Sequence, residues 1–254
     1  MADPYFVGKT ALVSGSGAGI GQASALAFAA RGAKVMVCDI DLAGAEETAA
    51  MIHAAGGKAE AMRIDASDAG EVERLVKATL DQFGSLDFAH NNVGCGVGKP
   101  LEELTEADYD YSVDLSLKTA FLGMRYQLPV MRQRGGGSVV NTASMAGIST
   151  TQAADMPYAG AKAGVIQMTA HAARAYGQHN IRVNCIAPGL VATKIISEMY
   201  TYEQQVALAS DHIIKRPVKP EEIAAAVTFL CSAEAAMITG ICLPVDGGQN
   251  AMRG

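Results

Sequence analysis

Seven short β-branched or apolar runs alternate with longer amphipathic segments along nearly the whole chain, and this alternation most constrains the fold. Runs of this kind make strands buried on both faces, and the segments between them make crossover helices. The pattern predicts an α/β fold: a doubly wound, seven-stranded parallel sheet with helices on both faces. Strands are expected at Thr10–Ser14, Lys34–Asp39, Ala59–Ile64, Leu86–Asn91, Gly137–Thr142, Arg182–Ala187 and Ile241–Val245. Helices are expected over Gly19–Arg31, Asp41–Ala55, Ala69–Phe83, Thr105–Arg134, Pro157–His179 and Pro220–Ser232. Pro157 and Pro220 suit first-turn positions, and Gly32 and Gly56 suit helix ends.

The 254 residues are half apolar and no Pro- or Ser-rich linker divides them, so one domain over 1–254 is expected. The stretch from about 190 to 215 falls between the last two strands and could form a small helical lid or plain packing over a pocket. A net charge of −6 with scattered lysines and arginines argues against a nucleic-acid partner. Neither a secretory signal nor a membrane-length apolar run is evident, so the expected setting is the cytoplasm. Cys38, Cys95, Cys185, Cys231 and Cys242 are odd in number and widely spaced, which indicates reduced thiols, mostly in core strands, without a zinc site. The five histidines likewise lack metal-ligand spacing, so no metal is expected.

Ser14-Gly15-Ser16-Gly17-Ala18-Gly19-Ile20-Gly21 follows the first strand and opens the first helix. Backbone N–H groups and the helix dipole can hold a pyrophosphate there, and glycine leaves room for it. Asp39 ends the second strand about twenty residues on, where a carboxylate can accept from ribose hydroxyls. The same charge repels a 2′-phosphate, and Ala18 supplies no cation to offset it, so NAD is expected over NADP. This is the pattern of a Rossmann-type fold.

Tyr158 and Lys162 lie four apart on an expected helix and therefore share a face. A phenol with a pKa of about 10 is a poor acid or base near neutrality, and an adjacent cation is expected to favour its ionised form. Asn91-Asn92-Val93-Gly94, Ser144 and Tyr158 all follow strand ends, where ligands of doubly wound sheets bind. His90 reads as a packed histidine and Cys95 as a small pocket-wall residue.

Taken together, these pieces resemble the short-chain dehydrogenase/reductase family, of the compact single-domain type, over essentially the whole length. The resemblance rests on the turn from Ser14 to Gly21, Asp65, Asn91 to Gly94, Ser144, Tyr158 with Lys162, Pro188-Gly189 with Thr193, and Asp246-Gly247-Gly248. It implies that Gly15, Gly19, Ile20 and Gly21 line the pyrophosphate, and that Asp39 and Ile40 meet the adenosine ribose. Asp65 and Ala66 would meet the adenine, with Asn92 and Gly94 on the bridge. Lys162, with Tyr158, would hold the nicotinamide ribose, and Pro188, Gly189, Val191 and Thr193 the carboxamide end. Ser144 and Tyr158 would handle the substrate oxygen, Tyr158 as general acid or base. The family commonly forms homotetramers through its long fourth and fifth helices.

One position departs from the family pattern. An asparagine usually precedes a stretch like Leu117-Lys118-Thr119-Ala120-Phe121-Leu122, and here that position is Ser116. A serine hydroxyl can hold a relay water, with fewer hydrogen-bond positions than an amide. The expected activity is NAD(H)-dependent interconversion of a secondary alcohol and a ketone. The alternative is a dinucleotide-binding sensor that has lost catalysis. Enoyl reduction fits less well, because such members separate tyrosine and lysine further. A pocket wall of Cys95, Val97, Met145, Met156, Leu190 and Ile195 with few charges points to a hydrophobic cyclic or aryl-substituted substrate.

Overall fold

The computed structural model describes residues 3, 5–150 and 154–252. Its strands are β1 (Thr10–Ser14), β2 (Lys34–Asp39), β3 (Lys58–Arg63), β4 (Phe88–Asn91), β5 (Gly137–Thr142), β6 (Ile181–Pro188) and β7 (Cys242–Val245). They form one seven-stranded sheet in the order β3-β2-β1-β4-β5-β6-β7, every pairing parallel. After β3 the chain returns past β1 to lay down β4, so strand order reverses between β1 and β4. Ser14 pairs with Cys38 on one side and Asn91 on the other, which puts the three following loops at one crevice.

The helices are α1 (Gly19–Ala30), α2 (Leu42–Ala54), α3 (Ala69–Phe83), α4 (Glu106–Val113), α5 (Thr119–Gln133), α6 (Met156–Tyr176), α7 (Lys194–Met199), α8 (Tyr202–Leu208) and α9 (Pro220–Cys231). Strand side chains alternate between two cores. Ala11, Val13, Val35 and Val37 pack with Phe28 of α1, Ile52 of α2 and Val227 of α9. Leu12, Met36 and Cys38 turn the other way, toward Leu75 of α3 and Leu128 of α5. This period of two explains why the strands read as continuous apolar runs. Among the described residues no helix is long and apolar enough to cross a membrane.

Most expected boundaries hold within a residue or two. β4 begins at Phe88 rather than Leu86, because the Asp87 side chain takes the Thr10 N–H at 2.9 Å and the Ser85 hydroxyl at 2.8 Å. Cys231 sits in α9 rather than in a strand. The stretch expected as one helix over Thr105–Arg134 is interrupted: a π-helical turn, Asp114–Lys118, separates α4 from α5. The region expected as a lid holds α7 and α8, and an isolated Val191–Val218 bridge joins the segments that flank them.

A buried polar network lies beneath the crevice. Asn91 Nδ2 donates to Gln127 Oε1 at 3.1 Å and to Asn141 Oδ1 at 2.9 Å, and Gln127 Nε2 donates back to Asn91 Oδ1 at 2.8 Å. Asn141 Nδ2 donates to Thr169 Oγ1 at 3.0 Å, so the network joins β4, β5, α5 and α6. A Cβ at Gly123 would overlap the Asn91 amide, so α5 approaches the network without a side chain there. Removing one partner of such a set strands the others in a dry interior. Asn141→Ala is expected to lower unfolding stability by about 1–3 kcal/mol in urea denaturation. A midpoint equal to that of the unaltered protein would show the network to be idle.

Candidate active site

The β1–α1 turn is shaped by glycines in the left-handed region, Gly15 at φ 61° and Gly19 at φ 56°. A Cβ on Gly21 would overlap the Gly15 carbonyl, so α1 packs directly on the turn. Ser16 is buried, donates to Val13 O at 2.7 Å and accepts from Cys38 N at 3.0 Å, which pins the turn to β2. Asp39 accepts from Gly17 N at 2.8 Å and from Asp41 N at 3.0 Å. No side chain caps the amino end of α1, so its first N–H groups and the positive end of the dipole face the crevice. The glycine cradle and the uncapped helix fit a dinucleotide pyrophosphate.

A cavity of about 680 Å³ opens at the carboxyl ends of β1, β4, β5 and β6. It brings together Gly19, Ile20, Asn92, Gly94, Ser144, Tyr158, Lys162, Pro188, Gly189, Val191 and Thr193, all expected from the sequence. Gly15 and Gly21 shape the turn behind it, whereas Asp39, Ile40, Asp65 and Ala66 follow β2 and β3 and lie outside the cavity. Asp65 Oδ1 accepts from the Ser67 hydroxyl and N–H, and these bonds hold its carboxyl below the usual range. On the outer wall Cys95, Val97, Leu190 and Ile195 fall where expected. Met145 is instead buried behind the wall and Met156 points outward at the start of α6, and neither lines the cavity.

Lys162 is 1% exposed and its Nζ donates to Thr142 O, at the end of β5, at 2.7 Å. Burial pushes its pKa down to about 8. Its Nζ lies 5.7 Å from the centroid of the Tyr158 ring. The Tyr158 phenol is held above its ordinary value, first by burial, against a hydrogen bond with Ser144 that lowers it, while Cys95 and Asp155 raise it further. The sequence expectation that the phenol is brought down is therefore not what this structure shows: burial outweighs the hydrogen bond from Ser144. Ser144 also accepts from Ala146 N at 3.1 Å, which orients its hydroxyl in the loop after β5.

Ser116 lies in the π-helical turn, fully buried, outside the cavity lining. Its hydroxyl donates to Cys95 O at 3.0 Å and accepts from Cys95 N at 3.2 Å, so it anchors the loop after β4. Gly94 lies between Ser116 and Lys162, and a Cβ there would overlap Lys162 Nζ. His90 is fully buried against Thr142 Oγ1 at 2.9 Å, and burial holds its pKa down to about 3, in keeping with a packed, neutral ring. Thr142 Oγ1 in turn donates to Asn92 Oδ1 at 3.1 Å, and Asn92 Nδ2 reaches Gly15 O at 3.2 Å.

Three site residues escaped the sequence reading. Thr142 works through its carbonyl, which no side-chain pattern can signal. His212 is buried, with Nδ1 on Arg216 O at 2.8 Å and Nε2 on Leu190 N at 3.3 Å, and it supports the Pro188–Leu190 loop. Asp155 caps α6, and an Asp two residues before Pro157 was a readable cap signal.

A dinucleotide cradle at the switch point, with a phenol, a hydroxyl and a buried ammonium beside it, defines an α/β oxidoreductase site. Comparison with known proteins narrows the class. A family model described as enoyl-(acyl carrier protein) reductase matches residues 15–250. Levodione reductase of Leifsonia aquatica is 37% identical over 256 residues, covering 97% of this chain and 96% of that protein. Cyclohexanol dehydrogenase of Acinetobacter sp. (strain SE19) is 37% identical over 243 residues, covering 95% of each. A solved 7α-hydroxysteroid dehydrogenase, complexed with NADH and 7-oxo glycochenodeoxycholic acid, superposes with a TM-score of 0.90 at 34% identity, covering 96% of this chain and 94% of that one. The chain belongs to the short-chain dehydrogenase/reductase family, and it is an oxidoreductase that acts on CH–OH groups with a nicotinamide dinucleotide.

The depressed lysine gives a pH signature. Between about pH 8 and 10.5 the unfolded chain holds a proton on Lys162 that the folded chain has released. Stability from this group therefore rises with pH across that window, and below it the buried charge costs about 3 kcal/mol. In denaturant titrations, the stability of the unaltered protein relative to Lys162→Met is expected to rise from pH 8 to 10.5. A difference independent of pH would show that Lys162 titrates normally.

Proposed function

We propose that the protein is an NAD(H)-dependent oxidoreductase that interconverts a secondary alcohol and a ketone, with Tyr158 as general acid and base. The observation that carries this reading is the meeting of the Tyr158 phenol and the Ser144 hydroxyl in a cavity with an otherwise largely apolar outer wall. Ser144 donates to the substrate oxygen as charge grows on it, and Tyr158 Oη gives that oxygen its proton. In oxidation Tyr158 Oη accepts the alcohol proton. A phenol held above its ordinary pKa is protonated at neutral pH and ready as the acid. Lys162, still mostly cationic there, favours the phenolate when Tyr158 acts as base.

A bound nicotinamide dinucleotide supplies hydride to the substrate carbon or takes it away. Gly15, Gly19, Ile20 and Gly21 would hold its pyrophosphate, Asp39 and Ile40 its adenosine ribose, and Asp65 and Ala66 its adenine. Asn92 and Gly94 would line the bridge, Tyr158 and Lys162 the nicotinamide ribose, and Pro188, Gly189, Val191 and Thr193 the carboxamide. Asp39 favours NAD, because its carboxylate would repel a ribose 2′-phosphate and Ala18 offers no counter-charge. In this reading α7 and α8 form the substrate lid of a single domain, the protein is cytoplasmic, and a homotetramer assembles through α5 and α6.

Val97, Leu190, Ile195, Ile196 and Met199 favour a hydrophobic cyclic or aryl-substituted substrate. Relatives named for levodione and cyclohexanol support a cyclic one. The enoyl description of the family model is a weaker guide, since Tyr158 and Lys162 keep the short spacing of the alcohol and ketone enzymes. A noncatalytic sensor is disfavoured by the presence of Ser144, Tyr158 and Lys162 together.

A panel of alcohols and ketones assayed with both dinucleotides tests the reading. Cyclic or aryl secondary alcohols are expected to reduce NAD+ at least about tenfold better than NADP+, and Tyr158→Phe to lose roughly 10²–10⁴-fold in kcat/KM. Preference for anionic sugars would sink the substrate assignment, and tight NADH binding without turnover of any compound would favour a sensor.

Ser116 is assigned to the proton path beneath Lys162, with one lone pair left after its two bonds to Cys95. Ser116→Ala is expected to lower kcat about tenfold and alter its pH dependence. Unchanged turnover and pH profile would remove Ser116 from the path.

A further inference from the structure

Asp155 is 5% exposed, and among the described residues its carboxylate is bound by backbone N–H groups alone. Oδ1 accepts from Tyr158 N at 2.8 Å, capping α6, and Oδ2 accepts from Val97 N at 2.7 Å and Gly98 N at 2.9 Å. Among the described residues no lysine or arginine forms an ion pair with it. One carboxylate thus joins the helix carrying the phenol to the loop that forms one wall of the cavity. The loop lies directly on this junction: a Cβ at Gly96 would come within 2.6 Å of Asp155 Oδ2 and 3.0 Å of Tyr158 Cβ.

A simple helix cap does not require this chemistry. Serine or asparagine would satisfy the α6 terminus equally well. Serine is too short to reach the loop as well, and asparagine would turn an NH2 toward two N–H donors. Only an ionised carboxylate accepts on both sides.

Resting on the proposed role of Tyr158, we propose that Asp155 is a positioning residue for the reaction: it holds loop 95–98 in register with Tyr158 and places a fixed negative charge behind the phenol. Four groups then face that phenol. Ser144, from the loop after β5, favours its ionised form, whereas Cys95 of the substrate loop and Asp155 of the cap oppose it. Lys162, one turn further along α6, stands 5.7 Å from the ring centroid. Tyr111 on α4 is hydrogen-bonded to Cys95 and adds no charge while protonated. Taking away the Asp155 charge removes one opponent of phenolate and frees the loop, two effects that a plain cap does not produce together.

The test uses the full-length protein with Asp155→Asn, Asp155→Ser and Tyr158→Phe. Tyrosinate absorbance is titrated, and the Tyr158 contribution is isolated by subtracting Tyr158→Phe. This step needs no substrate, so it decides the electrostatic claim even if the proposed reaction fails. Both Asp155 variants are expected to move the Tyr158 inflection to lower pH and, with cyclohexanol and NAD+, to raise KM about tenfold while NADH binding holds. An unmoved inflection, or an unchanged KM, overturns the proposal and leaves Asp155 a helix cap. Should the Asp155 variants not fold, Gly96→Ala keeps the carboxylate but crowds its junction with the loop: a raised KM with cyclohexanol and NAD+ supports the proposal, and an unchanged KM overturns it. Turnover retained in Tyr158→Phe defeats the general acid and base reading separately.

Discussion

The buried ammonium of Lys162 is the constraint around which the crevice is organised. An amino group taken out of water must find acceptors or lose its charge, and Lys162 does part of each: it donates to the Thr142 carbonyl, and burial lowers its pKa to about 8. The neighbours make room for it. Gly94 cannot carry a side chain because the ammonium occupies that space, and a Cβ at Gly147 would strike the backbone of α6 at Lys162. Those two glycines, from the loops after β4 and β5, let α6 sit close against the sheet. Tyr158, one turn earlier on the same helix, is thereby aimed into the cavity beside Ser144.

The switch point supplies the other half of the crevice by different means. Asp39 braces the glycine turn through Gly17 N, and Asn92 ties the same turn to the end of β5 through Thr142 Oγ1. Ser16 fastens it to β2. The turn is therefore held from both neighbouring strands before any ligand arrives, while the amino end of α1 stays uncapped. Preorganisation of this kind spares a ligand the cost of ordering the loop.

Much of this was legible in the sequence. Strand positions followed from apolar runs, and the Tyr158-Lys162 spacing placed both residues on one face of α6. What stayed hidden belonged to the backbone or to long-range packing. The π-helical turn at Ser116 coincides with the buried hydroxyl that bonds to the Cys95 backbone, and no local pattern in Asp114–Lys118 signals it. The start of β4 shifted because the Asp87 carboxylate takes an N–H from a different strand. Met145 and Met156 looked like pocket residues from their place beside Ser144 and Tyr158, but a short turn and a helix start point them elsewhere.

The Tyr158 phenol shows most clearly why spacing alone is insufficient. Helical geometry places a cation one turn away, and Coulomb's law then favours phenolate. Proton affinity also depends on how much water the ring loses, and in this fold burial is the largest influence and holds the phenol above its ordinary value. Cys95 in the loop after β4 and Asp155 at the cap of α6 oppose ionisation, while Ser144 favours it through one hydrogen bond. Proton affinity at this position is thus a balance between groups on four separate segments. Such a balance can be altered at Cys95 or Asp155 without touching the glycine turn, which hangs on β1, β2 and Asn92. The groups that set the proton affinity of Tyr158 thus lie apart from the glycine turn at the switch point, and Lys162, reaching the end of β5, is where the two halves meet.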